Sequence, residues 1–172
     1  MSLNTLEEIA QYIVSDGKGI LAADESNPTC GKRFDSIGVE SSEINRRDYR
    51  EMLFRSSGMQ DNIGGVILFD ETIRQSAADG TQLVDLIRNK GALPGIKVDK
   101  GLAPMDSSPE ETVTQGLDGL DERCKEYFSL GAKFTKWRAV IKISDGIPSD
   151  DCIQANMRAL AKYAKIVQNN NM

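Results

Sequence analysis

The sequence contains no histidine. That absence removes the Ser-His-Asp and Cys-His mechanisms and the usual imidazole zinc sites. Proton chemistry near neutral pH then falls to lysine, carboxylate or tyrosine. Cysteine is scarce too: Cys30, Cys124 and Cys152 are far apart and odd in number, which is neither a disulfide framework nor a zinc pattern. They read as small, inert hydrophobes in a reducing, cytoplasmic setting. Positive charge is in deficit, with 21 Lys and Arg against 26 Asp and Glu and a net charge of −5. An acidic chain lacks the basic face that sequence-independent nucleic-acid binding needs, so no nucleic-acid partner is expected. No apolar run nears the roughly 20 residues of a membrane-spanning helix, so no membrane is expected either. The opening MSLNTLEEIAQYIV is acidic and amphipathic, unlike a signal or transit peptide. Nucleotide-binding loops are missing as well. No G-x-G-x-x-G follows the first strand, and in TCGKR (residues 29–33) the Gly-Lys pair precedes Arg33 rather than Ser or Thr.

What is present alternates. The chain of 172 residues, 40% of them hydrophobic, has the size and apolar content of one ordinary domain. Thr5 to Val14 reads as a helix with a Thr5–Glu8 capping box. GILAADES follows, then a helix over residues 42–57, then GGVILFDET. A helix from Thr81 to about Asn89 leads to PGIKVDKG. A helix from Leu120 to Leu130, with Leu120, Cys124, Tyr127 and Phe128 inward, leads to AKFTKWRAVIKI at residues 132–143. The last helix starts at Ser149 with Ile153, Met157, Leu160, Ala161 and Ala164 inward. Strands are expected near residues 20–24, 65–70, 95–99 and 133–141. Alternating strands and helices predict βαβ units and a parallel sheet, and nearly unbroken apolar strands predict that both its faces are covered.

Each strand turns charged at its C-terminal end, where parallel α/β folds bind ligands. The charges are Asp24, then Asp70 and Glu71, then Lys97 and Asp99, then Lys136 and Arg138. In the last strand Phe134, Lys136 and Arg138 share one face, while Thr135 and Trp137 take the other. Polar strand ends that merely meet solvent account adequately for Asp70 and Glu71. They account less well for Lys97, Lys136 and Arg138, beyond which the strands stay apolar. Other structural readings stay open: Asp24 as a turn cap, Lys97 with Asp99 as a neutralising pair, and Lys32 with Arg33 as a solvated helix face. Trp137 reads as core packing.

KGILAADES, GGVILFDET, GIKVDKG, TQGLDGLDERC and GAKFTKWRAV, in this order and spacing, resemble the N-terminal half of class I fructose-1,6-bisphosphate aldolase. The resemblance runs from about residue 6 to residue 168. It implies an α/β fold of the (β/α)₈ TIM-barrel family, in which a lysine forms a Schiff base with a ketose phosphate, without metal or cofactor. It implies glycolytic cleavage of fructose 1,6-bisphosphate to dihydroxyacetone phosphate and glyceraldehyde 3-phosphate. By the same resemblance Lys136 lies beside the Schiff-base lysine and assists proton transfer. Asp24 matches the aspartate that works at the scissile carbon–carbon bond. Lys97 and Arg138 match residues holding hydroxyls and the aldehyde-end phosphate, and Lys32 and Arg33 match a basic loop near a substrate phosphate. Elementary chemistry agrees: retro-aldol cleavage needs an electron sink, which a lysine iminium supplies, and clustered cations suit a twice-phosphorylated sugar.

The resemblance also has a boundary. A (β/α)₈ barrel takes about 250 residues, whereas these 172 read as four βα units plus an N-terminal helix. The expected domain, residues 1–172, is therefore half a barrel. The family's paired glutamates of the fifth strand, Schiff-base lysine of the sixth, and phosphate-binding serine and arginine of the seventh and eighth have no counterpart here. The expectation is a truncated aldolase, inactive alone, that forms a homo-oligomer or joins the other half. The alternative is a non-catalytic interaction module derived from the same fold.

Overall fold

The computed structural model describes residue 3 and residues 5–172, so part of the amphipathic opening (residues 1, 2 and 4) lies outside the described residues. In chain order the elements are α1 (Leu6–Ile13), β1 (Gly19–Ala23), α2 (Asn27–Asp35), α3 (Glu43–Arg55), α4 (Met59–Asn62), β2 (Ile63–Leu68), α5 (Asp70–Ile73), α6 (Leu83–Asn89), β3 (Leu93–Lys97), β4 (Leu102–Met105), β5 (Ser108–Thr114), α7 (Leu120–Ser129), β6 (Phe134–Lys136) and α8 (Asp150–Asn169). Four of the strands form one sheet in the order β1-β2-β3-β6, and every neighbouring pair is parallel. The separate pair β4-β5 is an antiparallel hairpin. Its short apolar–polar segments carry too little pattern to be read from sequence.

Strand alternation sorts the side chains into two layers. Ala23, Val66, Leu68, Ile96 and Val98 are fully buried beneath the helices. They pack with Phe54, Ile73, Leu83, Ile87, Leu120 and Cys124 into one core. The opposite layer differs. Gly65 and Gly95 carry no side chain there, and the Phe134 ring fills the space: a Cβ added at Gly95 would lie 2.4 Å from its Cζ. On β1 this layer is open, with Ile20 and Ala22 exposed. The expectation that both sheet faces are covered therefore holds for the helix side alone. α1 closes the N-terminal side of the sheet, with Ile13 against Gly64 and the Tyr12 hydroxyl donating to the Gly91 carbonyl. The predicted capping box is formed: Thr5 Oγ1 accepts from Glu8 N at 3.2 Å and Glu8 Oε2 from Thr5 N at 3.1 Å.

Several expectations are corrected. Lys32 and Arg33 sit in the last turn of a helix, α2, and not in a loop; Pro28 at its start favours the helix, since its fixed φ suits a first turn. β6 covers three residues and not nine, because beyond Lys136 the chain turns to bond the hairpin instead of β3: Thr114 Oγ1 donates to Arg138 O at 2.6 Å. Phe128 is 37% exposed, with the Lys133 ammonium 4.7 Å from its ring centroid. In α8 the buried face is Cys152, Asn156, Ala159 and Val167, whereas Ile153, Met157 and Leu160 are exposed. The helix is held on the hairpin by polar contacts that a hydrophobic reading cannot see. Asn156 donates to Thr112 O at 2.9 Å, and the buried Glu111 accepts from Ser149 N and Oγ, both at 2.7 Å. Among the described residues no helix is long and apolar enough to cross a membrane.

Candidate active site

A cleft of about 830 Å³ opens at the C-terminal ends of the four parallel strands. Period two dictates what enters it. From β1 the inner positions are Ala22 and Asp24, from β3 Lys97, and from β6 Lys136, with Arg138 beyond it; all five line the cleft. Asp24 lies between two ammonium groups. Its Oδ2 accepts from Lys136 Nζ at 3.0 Å and lies 3.7 Å from Lys97 Nζ. Lys97 Nζ also donates to the Asp24 backbone carbonyl and stands 4.9 Å from the centre of the Phe69 ring. Cation–π attraction of that kind steadies an ammonium without neutralising it. Asp24, Lys97 and Lys136 keep 14, 17 and 30% of their side-chain surface exposed, so all three are accessible from the cleft but partly shielded from water.

The remaining predicted residues separate. Arg138 is exposed, lines the cleft and has no side-chain partner among the described residues. Arg33 stands at the rim, paired with Glu25 and 3.2 Å from the Tyr49 hydroxyl. Lys32 points from the exposed face of α2 and does not line the cleft. The pairing weighed between Lys97 and Asp99 does not form; Lys97 turns to Asp24 instead. Asp70 and Glu71 are more than solvated strand ends. Glu71 accepts from Arg46 Nε at 2.8 Å and from Nη2 at 2.5 Å, and these hydrogen bonds hold its carboxyl below the usual range. Burial pushes Asp70 up, but hydrogen bonds from Arg74 and Tyr127 outweigh it and bring the carboxyl down. The Tyr127 phenol is raised, first by burial and then by donating to Asp70 at 2.9 Å.

Sequence reading missed Arg74, Arg123 and Tyr127, which reach the same cleft from the helix layer. Their signal is faint: Arg123 and Tyr127 lie in a helix whose inward face reads as apolar, and Arg74 lies just past α5, a four-residue helix that the sequence pattern does not predict. With them the lining holds seven cationic side chains against five carboxylates. A chain of net charge −5 thus gathers positive charge at one place, and such a cleft draws anions. Trp137 stacks on Tyr163 of α8, their ring centres 5.1 Å apart, on the layer away from the cleft. Cys30, Cys124 and Cys152 are buried and unpaired, and burial pushes the Cys124 thiol to about 11. Among the described residues no cluster of three or more Asp, Glu, Cys or His is arranged to hold a metal.

The family model for class-I fructose-bisphosphate aldolase matches residues 5–172. The chain belongs to that family. A probable class 1 fructose-bisphosphate aldolase from Xanthomonas campestris pv. campestris is 53% identical over 98% of this chain and 50% of its own length. Fructose-bisphosphate aldolase 6, cytosolic, from Arabidopsis thaliana is also 53% identical, over 95% of this chain and 46% of its own. In three dimensions the chain is similar to fructose-bisphosphate aldolase from Plasmodium falciparum, solved with TRAP and a small-molecule inhibitor, at a TM-score of 0.95 and 49% identity. That likeness covers 97% of this chain and 49% of the other. The chain thus spans about half the length of the relatives it matches.

Proposed function

We propose that this chain carries the aldehyde-end half of a class I fructose-bisphosphate aldolase site, as the first four βα units of a (β/α)₈ barrel. The observation that carries the reading is the Asp24 carboxylate between Lys136 and Lys97 at the C-terminal strand ends. In a retro-aldol reaction the electrons of the breaking carbon–carbon bond flow into an iminium, formed when a lysine amine condenses with the substrate ketone and water leaves. That lysine belongs to the complementary half. This chain supplies the groups around it. Asp24 takes the proton of the hydroxyl whose C–O becomes the aldehyde, because its side chain faces the cleft with its Oδ2 beside two ammonium groups. Lys136, in contact with Asp24, assists proton transfer at the iminium. Lys97 and the unpartnered Arg138 hold hydroxyls and the aldehyde-end phosphate, with Arg33 at the rim.

The substrate proposed is an anionic ketose phosphate, fructose 1,6-bisphosphate first. The setting proposed is the cytoplasm, and no cofactor is required by this chemistry. The partner proposed is a complementary half barrel or a second copy, since β1 and β6 each keep an unpaired edge. The 172-residue chain alone is expected to bind phosphate weakly and to lack turnover, because a covalent route cannot run without its nucleophile. Borohydride trapping with dihydroxyacetone phosphate, read by intact mass and peptide mapping, tests this. No adduct and no cleavage are expected. A stoichiometric adduct on Lys97 or Lys136 with cleavage of fructose bisphosphate would make this half an enzyme by itself and overturn the division of labour.

A further inference from the structure

We infer that Arg123 is a positioning residue that holds Lys97 in the cleft by clamping the end of β3; the inference rests on the proposed anion-binding role of Lys97. After Lys97 the chain leaves the sheet, runs out and back through the β4-β5 hairpin, and returns at Gln115 and Gly116. A strand end that opens into such an excursion has no continuing ladder to fix it. β3 pairs with β6 as far as Lys97 and Lys136, and just past that pair Val98 N donates to Lys136 O at 3.1 Å. The base of the hairpin adds Lys100 N to Gln115 O and Gln115 N to Gly101 O, both at 2.8 Å.

Arg123, in the first turn of α7, closes this base. Its Nη1 donates to Val98 O at 2.9 Å and its Nη2 to Gly116 O at 2.5 Å, so one planar guanidinium bridges the outgoing and the returning chain. Gly116 allows the approach. Its φ of +123° suits glycine, and an added Cβ would lie 2.9 Å from Lys100 N and 3.0 Å from Val98 O. A rigid fork satisfies two carbonyls at once, whereas a lysine ammonium at the same place is a point charge without that geometry. Lys97 is the neighbour of Val98, and its ammonium must reach across the sheet to Asp24, the residue that follows β1. A strand end released by a fraction of an ångström would carry that ammonium off its partner.

The test uses the 172-residue chain and inorganic phosphate as the anion probe, with the variants Arg123→Lys, Arg123→Gln, Lys97→Met and each double variant. Calorimetric titration is expected to show Arg123→Lys and Lys97→Met each weakening phosphate binding by about tenfold, the scale of one charged hydrogen bond. The double variants should be no weaker than Lys97→Met alone, because a residue acting through Lys97 has nothing further to lose. Losses that multiply in the double variants would make Arg123 a direct anion ligand and overturn the inference. Lowered thermal midpoints with unchanged binding in the Arg123 variants would make it merely structural, and would overturn it equally. If the parent chain binds no phosphate, the reading of the site fails instead. The clamp is then decided by amide exchange, where faster exchange at Val98 and Lys100 in Arg123→Gln upholds it and unchanged exchange overturns it.

Discussion

At the residue scale, the proposed site separates a group assigned to the reaction itself from one assigned to holding the substrate. Lys136 touches Asp24 at 3.0 Å, whereas Arg138 lines the cleft without a side-chain partner among the described residues. In a barrel completed by the complementary half, Lys136→Ala is expected to lower kcat on the order of 10²-fold or more with little change in KM, the scale of a lost acid–base group. Arg138→Ala is expected to raise KM about tenfold and leave kcat nearly intact, as loss of one charged hydrogen bond to phosphate does. Steady-state kinetics on both variants checks the pair, and equal effects on both parameters would contradict the division. The inner layer offers a second residue-scale test. Gly95→Ala places a Cβ 2.4 Å from the Phe134 ring and should cost about 1–3 kcal/mol of overpacking. Gly19→Ala, whose nearest atom would be 3.9 Å away, should change stability little. Denaturant unfolding of both separates a packing requirement from a general intolerance to alanine.

At the scale of elements, α3 and α5 are tied by the Arg46–Glu71 ion pair behind the cleft. Hydrogen bonding to Arg46 lowers the Glu71 carboxyl from its ordinary 4.5. A depressed acid contributes stability above its unfolded value and loses it as pH falls through the folded one. Stability should therefore decline on acidification below about 4.5, and Glu71→Gln should flatten that limb while lowering stability at neutral pH. Thermal midpoints followed from neutral to acid pH give the answer; an unchanged acid limb would remove the pair from the account. Elements also show where sequence was legible. The 3.6-residue periodicity of α1 and its capping box declare that helix without any tertiary contact. α8 does not declare its inward face, because it is held by Asn156 and by Glu111 on Ser149. Hydrogen-bonding partners that lie 44 and 38 residues away leave no local trace.

At the scale of the whole molecule, the sheet ends in two strands that each keep one unpaired edge, and Ile153, Met157 and Leu160 form an exposed apolar stripe on α8. Free edges and apolar stripes recruit partners. The chain should associate as its concentration rises, and Met157→Glu with Leu160→Lys should weaken this without unfolding it, since both side chains are exposed. Sedimentation velocity across a concentration series reads the result. A monomer throughout, with or without the substitutions, would show that these surfaces hold nothing.

The sequence by itself determined the four parallel strands, the family, and which face of the last strand carries Lys136. All of these follow from local spacing: period two along a strand, period 3.6 along a helix, and motifs of contiguous residues. Only the tertiary structure decided that Asp24 pairs with Lys136 and Lys97 rather than capping a turn, that Lys32 stands apart while Arg33 meets Glu25, and that Arg123 bridges Val98 to Gly116. Each of those choices joins groups from different elements. The geometry that selects among the available charges is set by how strands and helices pack, and no single stretch of the chain contains it.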